Sequence, residues 1–244
     1  QISLGLLVGS VLYFHPQFSD IRTLTYLPFV ADETLNYDVL RHFVDGVDLG
    51  WVIYIPVVIF ILTALSNAVN LTDGLDGLAA GVTGIVAVGL TALAYIAGNA
   101  IFSDFLNEML LPGAGELTVF AAALAASCFG FLWYNGYPAT VFMGDTGALS
   151  LGAAVGTLTL MIHKELLLPL LCAVFFWETL SVILQTSWFK YTRKRTGVGK
   201  RLFKMAPIHH HYEAKGWHEA KIVLRFWLIT AITVIATLLV LRIR

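Results

Sequence analysis

Charge is what this sequence lacks. Only 13% of its 244 residues are charged, about half the share of an ordinary soluble domain. The shortage is concentrated: no Asp, Glu, Lys or Arg occurs in residues 49–72, 77–103, 117–144, 146–163 or 226–241. Hydrophobic residues make up 58% and the mean hydropathy is +0.78. A soluble domain would have to hide all these segments in one small core, so a soluble fold is excluded. Cysteine is almost absent. Cys128 and Cys172 both sit in apolar segments, which predicts membrane-buried thiols and excludes a disulfide scaffold. There is no G-x-x-x-x-G-K-[ST], no H-E-x-x-H and no G-x-S-x-G. Gly-Val-Gly-Lys at 197–200 lacks the upstream glycine of a phosphate loop. No cleavable signal peptide and no initial Met are present, and the chain opens in QISLGLLVGSVLYF. The expectation is an incompletely recorded N-terminus.

What is present is a series of membrane segments. Spans are expected at 1–15, 50–67, 79–98, 116–134, 147–162, 166–189 and 222–241, each near the length needed to cross hydrocarbon as a helix. Helices are the default because lipid cannot satisfy open backbone groups, and no segment has the alternation of a barrel strand. The predicted fold is therefore an all-α polytopic membrane bundle of about seven helices, a single domain over 1–244 with a basic, His-rich loop at 190–221. Ten of the fifteen Lys and Arg residues lie between 190 and 225, which predicts that this loop is cytoplasmic. Counting back, 68–78 and 135–146 share its side, and 16–49, 99–115 and 163–165 lie outside. Segment 16–49 carries six acids against Arg22 and Arg41, which agrees. Three polar loops on one face point to one active site.

The first loop, NLTDGLDG, holds Asp73 and Asp76. At i, i+3 on a helix start they would share a face and repel. Mg²⁺ is a natural partner, since it takes few carboxylates and completes its shell with water and phosphate oxygens. The competing reading is a helix cap by Thr72 or Asp73, which accounts for one acid better than two. Asn70-Leu71-Thr72 matches a glycosylation sequon, which a cytoplasmic loop would not use. The second loop, NGYPATVFMGDTG, holds Asp145 just before an apolar helix. An N-cap and a metal ligand near bound phosphate both fit it, and its residue types leave both open. Asn135 and Phe142 could hydrogen-bond and stack on a base, or simply pack. The third, MAPIHHHYEAKGW, places three His among Lys200, Arg201, Lys204 and Lys215. Consecutive His side chains diverge, so a phosphate-binding surface fits better than a three-His metal site. A loop meeting anionic lipid accounts for the bases but not for the His run. Glu178 lies within a span, where an ionisable group is costly and by default functional. Gln185 is two turns on.

NAVNLTDGLDGLA, FLWYNGYPATVFMGDTGALSLG, ETLSVILQ and FKMAPIHHHYEAKGW together resemble the bacterial phospho-N-acetylmuramoyl-pentapeptide-transferases. These belong to the polyprenyl-phosphate sugar-1-phosphate transferases, and the His-rich motif separates them from their relatives. The resemblance runs over essentially the whole chain. It implies Mg²⁺-dependent transfer of a phospho-sugar from UDP-N-acetylmuramoyl-pentapeptide to undecaprenyl phosphate, giving lipid I and UMP at the cytoplasmic face of the bacterial inner membrane. It also implies roles: Asp145 for Mg²⁺; Asp73, Asp76, His209, His210 and His211 at the nucleotide, metal and pyrophosphate; Asn70, Gly74, Leu75, Asn135, Phe142 and Gln185 for substrate. The partners it implies are the two substrates and membrane lipid, not nucleic acid, with a homodimer allowed. Family members have about ten spans and an adjacent Asp pair in their N-terminal third, and this chain starts near their fourth span. Two rivals remain at this level: a relative acting on UDP-GlcNAc, and an ion-coupled transporter, which Glu178 would suit.

Overall fold

A computed structural model describes residues 1–18, 21–26, 34–36, 49–106 and 108–242. Helix α1 (Ile2–Phe14) is followed by a small hairpin of β1 (Leu24–Tyr26) and β2 (Thr34–Asn36), antiparallel with Thr25 opposite Leu35. Then come α2 (Trp51–Thr72), α3 (Leu78–Gly98), the short α4 (Ala100–Phe105), α5 (Ala114–Asn135) and α6 (Gly144–Met161). The chain ends in α7 (Leu168–Leu171), α8 (Ala173–Thr196), the one-and-a-half-turn α9 (Ile208–Glu213) and α10 (Glu219–Val240). All six acids of segment 16–49 fall outside the described residues.

The all-α membrane architecture expected from composition is the one observed, with differences in three of the expected spans and in the basic loop. By length and composition α2, α3, α5 and α10 can each cross a membrane. The expected span at 166–189 is broken: residues 165–171 and α8 meet at 80°, and the pair makes a fifth span only if taken together. Two other expected spans are weaker. Helix α1 has 13 residues, short of a bilayer. Helix α6 has 18 residues but carries Asp145, four glycines and several hydroxyl side chains. The basic loop is also partly helical. Helix α8 continues through Arg193, Lys194 and Arg195 to a left-handed Gly197, and cations in a last turn offset the negative end of the helix dipole.

Helix α3 is the centre. Of its span 67% is buried, against 17% for α5, so α5 packs on it with one stripe and leaves the rest for lipid. Small residues let neighbours come close: the indole of Trp227 on α10 occupies the place a side chain would take at Gly81, and Phe129 of α5 lies against Gly84. Helix α6 meets α2 the same way. A Cβ on Gly152 would stand 2.6 Å from the Leu65 carbonyl oxygen and from the Ser66 Cα. Both contacts are backbone, so nothing can rotate away. Cys128 and Cys172 are buried free thiols, as expected.

The far end of the bundle is tied by buried polar groups. Lys164 pairs with Glu108, and the Thr25 hydroxyl donates to Glu165. His163 Nδ1 lies 2.7 Å from the Leu24 carbonyl. These contacts seat the hairpin against the turn after α6 and leave the opposite end of the helices free for the conspicuous loops.

Replacing Gly152 by Ala forces α6 away from α2, and with it Asp145 away from Asn70. The expected result is a melting temperature lower by several degrees, the scale of about 1–3 kcal/mol of overpacking. Thermal unfolding in detergent checks this.

Candidate active site

Residues 73–77 are a turn between α2 and α3, not the start of a helix. Helix α2 runs to Thr72, whose hydroxyl donates back to the Ala68 carbonyl. Helix α3 begins at Leu78 behind a left-handed Gly77 and has no side-chain cap. Neither Thr72 nor Asp73 caps it, so the capping reading fails for this loop. The face-sharing of Asp73 and Asp76 fails as well, because that argument needed helical geometry. The turn sends the two carboxylates to different partners.

Asp76 is the more constrained of the two. Its Oδ2 accepts from the backbone N–H of Ala139 at 2.9 Å, and its own N–H donates to Glu219 Oε1 at 2.6 Å. One residue thus ties the α2–α3 turn to the loop after α5 and to the first turn of α10. Asp73 is half-buried and points toward the second loop. Burial first, and then the negative charge of Asp145, hold its carboxyl above the ordinary range. The repulsive pair is therefore Asp73 with Asp145.

Asp145 lies in the first turn of α6, whose N-cap position is Met143 with no side-chain cap. Instead of capping, its Oδ1 accepts from Asn70 Nδ2 at 3.1 Å. The carboxylate is exposed, with lone pairs left over. Among the described residues neither Asp73 nor Asp145 has a salt-bridge partner. No group of three or more His, Cys, Asp or Glu residues there could hold a metal ion.

The His-rich segment docks on the same turn. Helix α9 follows Pro207, and the His209 ring fills the space over Gly74. A Cβ at that position would lie 2.3 Å from His209 Nε2 and 3.3 Å from His210 Nε2. His209 is fully buried. His210 Nδ1 lies against Glu213, and its ring is 4.1 Å from that of His209. His211 Nδ1 accepts from the Lys204 N–H at 3.0 Å. Desolvation, with Lys215 and Lys204 behind it, lowers the affinity of His211 for a proton, which suits an acceptor nitrogen. A fourth link joins the second loop to the third, with the rings of Tyr137 and His218 at 5.1 Å.

The remaining residues expected to bind substrate are placed unequally. Phe142 is 73% exposed, a ring available for stacking. Asn135 is buried, and its Nδ2 donates to the Val141 carbonyl at 2.9 Å, closing the loop that carries Phe142. Gln185 clasps the basic loop: its Oε1 accepts from the N–H groups of Leu202 and Phe203, and its Nε2 donates to the Phe203 carbonyl. The Leu75 side chain is part of the hydrophobic core, so only its backbone can face a ligand.

Two features went unread in the sequence. Glu219 opens α10 and holds the turn; set among Lys215, Lys221 and Arg225 it carries no local sign of a partner 143 positions away. Beside α9, a cavity of about 430 Å³ opens between α8 and α10, lined by Trp177, Tyr212, Trp217, Arg225, Phe226 and Ile229. The Arg225 guanidinium lies 4.3 Å over the Trp217 ring, and Lys221 Nζ is 5.6 Å from it. The cavity thus has apolar walls and a cationic rim.

The family model described as "Glycosyl transferase family 4" matches residues 21–163, which include both carboxylate loops. The chain belongs to that family. Its curated relatives extend the match over the His-rich segment. A phospho-N-acetylmuramoyl-pentapeptide-transferase of Salinibacter ruber is 69% identical over 244 residues. Proteins of the same name from Chlorobium phaeobacteroides and Flavobacterium psychrophilum are 53% identical over 244 residues and 45% over 271. All three alignments cover 100% of this chain, which spans 63%, 63% and 66% of those relatives' own lengths. The family likeness read from the four motifs is thereby established.

The raised Asp73 carboxyl gives a signed prediction. A raised folded-state pKa contributes stability that is fully present below the ordinary carboxylate value and is lost as pH rises through the folded one. At neutral pH the ionised group is therefore a cost. Asp73→Asn is expected to raise the melting temperature at neutral pH, without divalent cation, by roughly 1–3 °C. The gain should shrink on acidification. A lower melting temperature at neutral pH contradicts it.

Proposed function

We propose that this end of the bundle transfers a phospho-sugar from a UDP-linked N-acetylmuramoyl-pentapeptide to a polyprenyl phosphate, releasing UMP, as the relatives' names suggest. The observation that carries the reading is the convergence on one turn of a carboxylate pair, half-buried Asp73 and exposed Asp145, with a His-rich helix and a loop presenting an exposed aromatic ring. The reaction needs a place for a base, a pyrophosphate and an acceptor phosphate, and these three elements can supply it.

The donor set suits Mg²⁺. Asp73 and Asp145 form an uncompensated carboxylate pair, and Mg²⁺ usually takes only one or two carboxylates beside water and phosphate oxygens. Asp145 would hold the ion, with Asp73 beside it and Asn70 orienting the Asp145 carboxylate. When bound, the ion would neutralise charge on the pyrophosphate. The chain's own groups do the rest. Phe142 stacks on the uracil, with Asn135 holding its loop. His210, His211 and the neighbouring lysines stabilise negative charge as an acceptor phosphate oxygen attacks the sugar-linked phosphorus and UMP departs. Trp177, Phe226 and Ile229 offer a wall for an isoprenoid chain, with Arg225 near its phosphate. A cytoplasmic orientation, supported by the Lys and Arg bias, would let the soluble donor reach the site.

The transporter reading loses its main support, because Glu178 is in contact with His209 of α9. A UDP-GlcNAc relative is disfavoured by the PIHHHYE segment and by the relatives' names.

With undecaprenyl phosphate and the UDP-linked pentapeptide, UMP release should require Mg²⁺. Asp145→Asn should reduce kcat about 10²-fold or more. Metal-independent release, or an unchanged rate in Asp145→Asn, contradicts the metal assignment. Arg225→Ala should raise KM for the lipid acceptor several-fold with kcat largely kept, as loss of uniform binding does. Steady-state kinetics with each substrate varied in turn checks this.

A further inference from the structure

Glu178 and His209 are both fully buried, and His209 Nδ1 stands 3.0 Å from Glu178 Oε2. The contact is an ion-pair distance without hydrogen-bond alignment. Neither oxygen of Glu178 and neither ring nitrogen of His209 has a hydrogen-bond partner. Buried carboxylates and imidazoles are costly unless paired, so each is the neighbour that makes the other's burial tolerable. The pair also joins α8 to α9.

The other edge of the same ring meets the turn. His209 Nε2 occupies the space above Gly74, one residue from Asp73. A ring held on one side by Glu178 cannot retreat when something grows on the other. Glu178, His209 and Gly74 thus form a line of contact from the buried α8 carboxylate to the exposed Gly74 of the carboxylate turn. Full burial also separates His209 from a water-soluble nucleotide, unlike the partly exposed His210 and His211.

We propose that Glu178 and His209 are positioning residues: Glu178 fixes the His209 ring, and the ring sets the Gly74 turn and with it Asp73 relative to Asp145. His209 then acts on the reaction through the turn rather than on the phosphates. The proposal rests on the reading of this end of the bundle as a phosphoryl-transfer site. It assigns Glu178 a task that neither packing nor ion transport requires.

A size-swap experiment tests it. Gly74→Ala places a methyl group where the ring lies, and should lower both the melting temperature and kcat. In a His209→Ala background the methyl has room, so adding Gly74→Ala should cost little more on either measure. Glu178→Gln, which keeps the shape and removes the charge, should reduce kcat about tenfold or more with KM for the UDP-sugar within about twofold, as misplacement of a reacting geometry does. Its effect on melting temperature should be less than additive with that of His209→Ala. Gly74→Ala equally damaging in both backgrounds, or Glu178→Gln raising KM with kcat intact, overturns the proposal. If the unsubstituted protein releases no UMP from these substrates, the proposed function falls. The melting-temperature cycle, which needs no activity, still decides the contact.

Discussion

Two hydrogen bonds through Asp76 hold the working end of this bundle together. Its carboxylate accepts from Ala139 and its backbone N–H donates to Glu219, so one turn residue binds segments about 60 and 140 positions away. The constraint behind this is the solvent. A bilayer leaves no place for an unpaired polar group, so the charged residues collect at helix ends, where they must find one another or water. Asp76 finds backbone and Glu219. Asp73 and Asp145 find each other, which is unfavourable without a cation. That difference turns one carboxylate into a strut and leaves the other two available for chemistry.

Close packing at the helices' middles sets what the ends can do. Gly152 brings the α6 backbone onto α2 two turns from Asp145, and this approach is what lets Asn70 reach the Asp145 carboxylate. Gly74 does the same for the His-rich helix, and Gly81 for Trp227, whose indole N–H reaches the Gly77 carbonyl at 3.2 Å. In each case a missing side chain lets a second element approach and so sets the distance between polar groups on the two.

Much of this was legible in the sequence. Charge-free runs located the long helices, and the family's four motifs located the loops that the structure brings together. What could not be read were relations between loops. Nothing in DGLDG says that Asp76 would turn away to Ala139 while Asp73 meets Asp145, because the i, i+3 spacing was read on a helix start, and residues 73–77 are a turn between α2, which ends at Thr72, and α3, which begins at Leu78. The Asp-Thr-Gly after Met143 looked like a cap, yet its carboxylate is taken by a side chain 75 positions earlier. Gln185 was expected to face substrate, and its amide instead clasps residues 202–203, a contact set by the chain's return after α8. The break before α8 was hidden because an apolar run reads alike whether straight or bent by 80°.

The central claim is that three segments distant in sequence form one site for a nucleotide and Mg²⁺. Amide hydrogen exchange with and without UMP and Mg²⁺ tests it most directly. The account predicts that protection rises together in residues 70–77, 139–146 and 204–213, and that UMP without the metal protects these segments far less. Protection confined to one of the three, or equal with and without Mg²⁺, would contradict it.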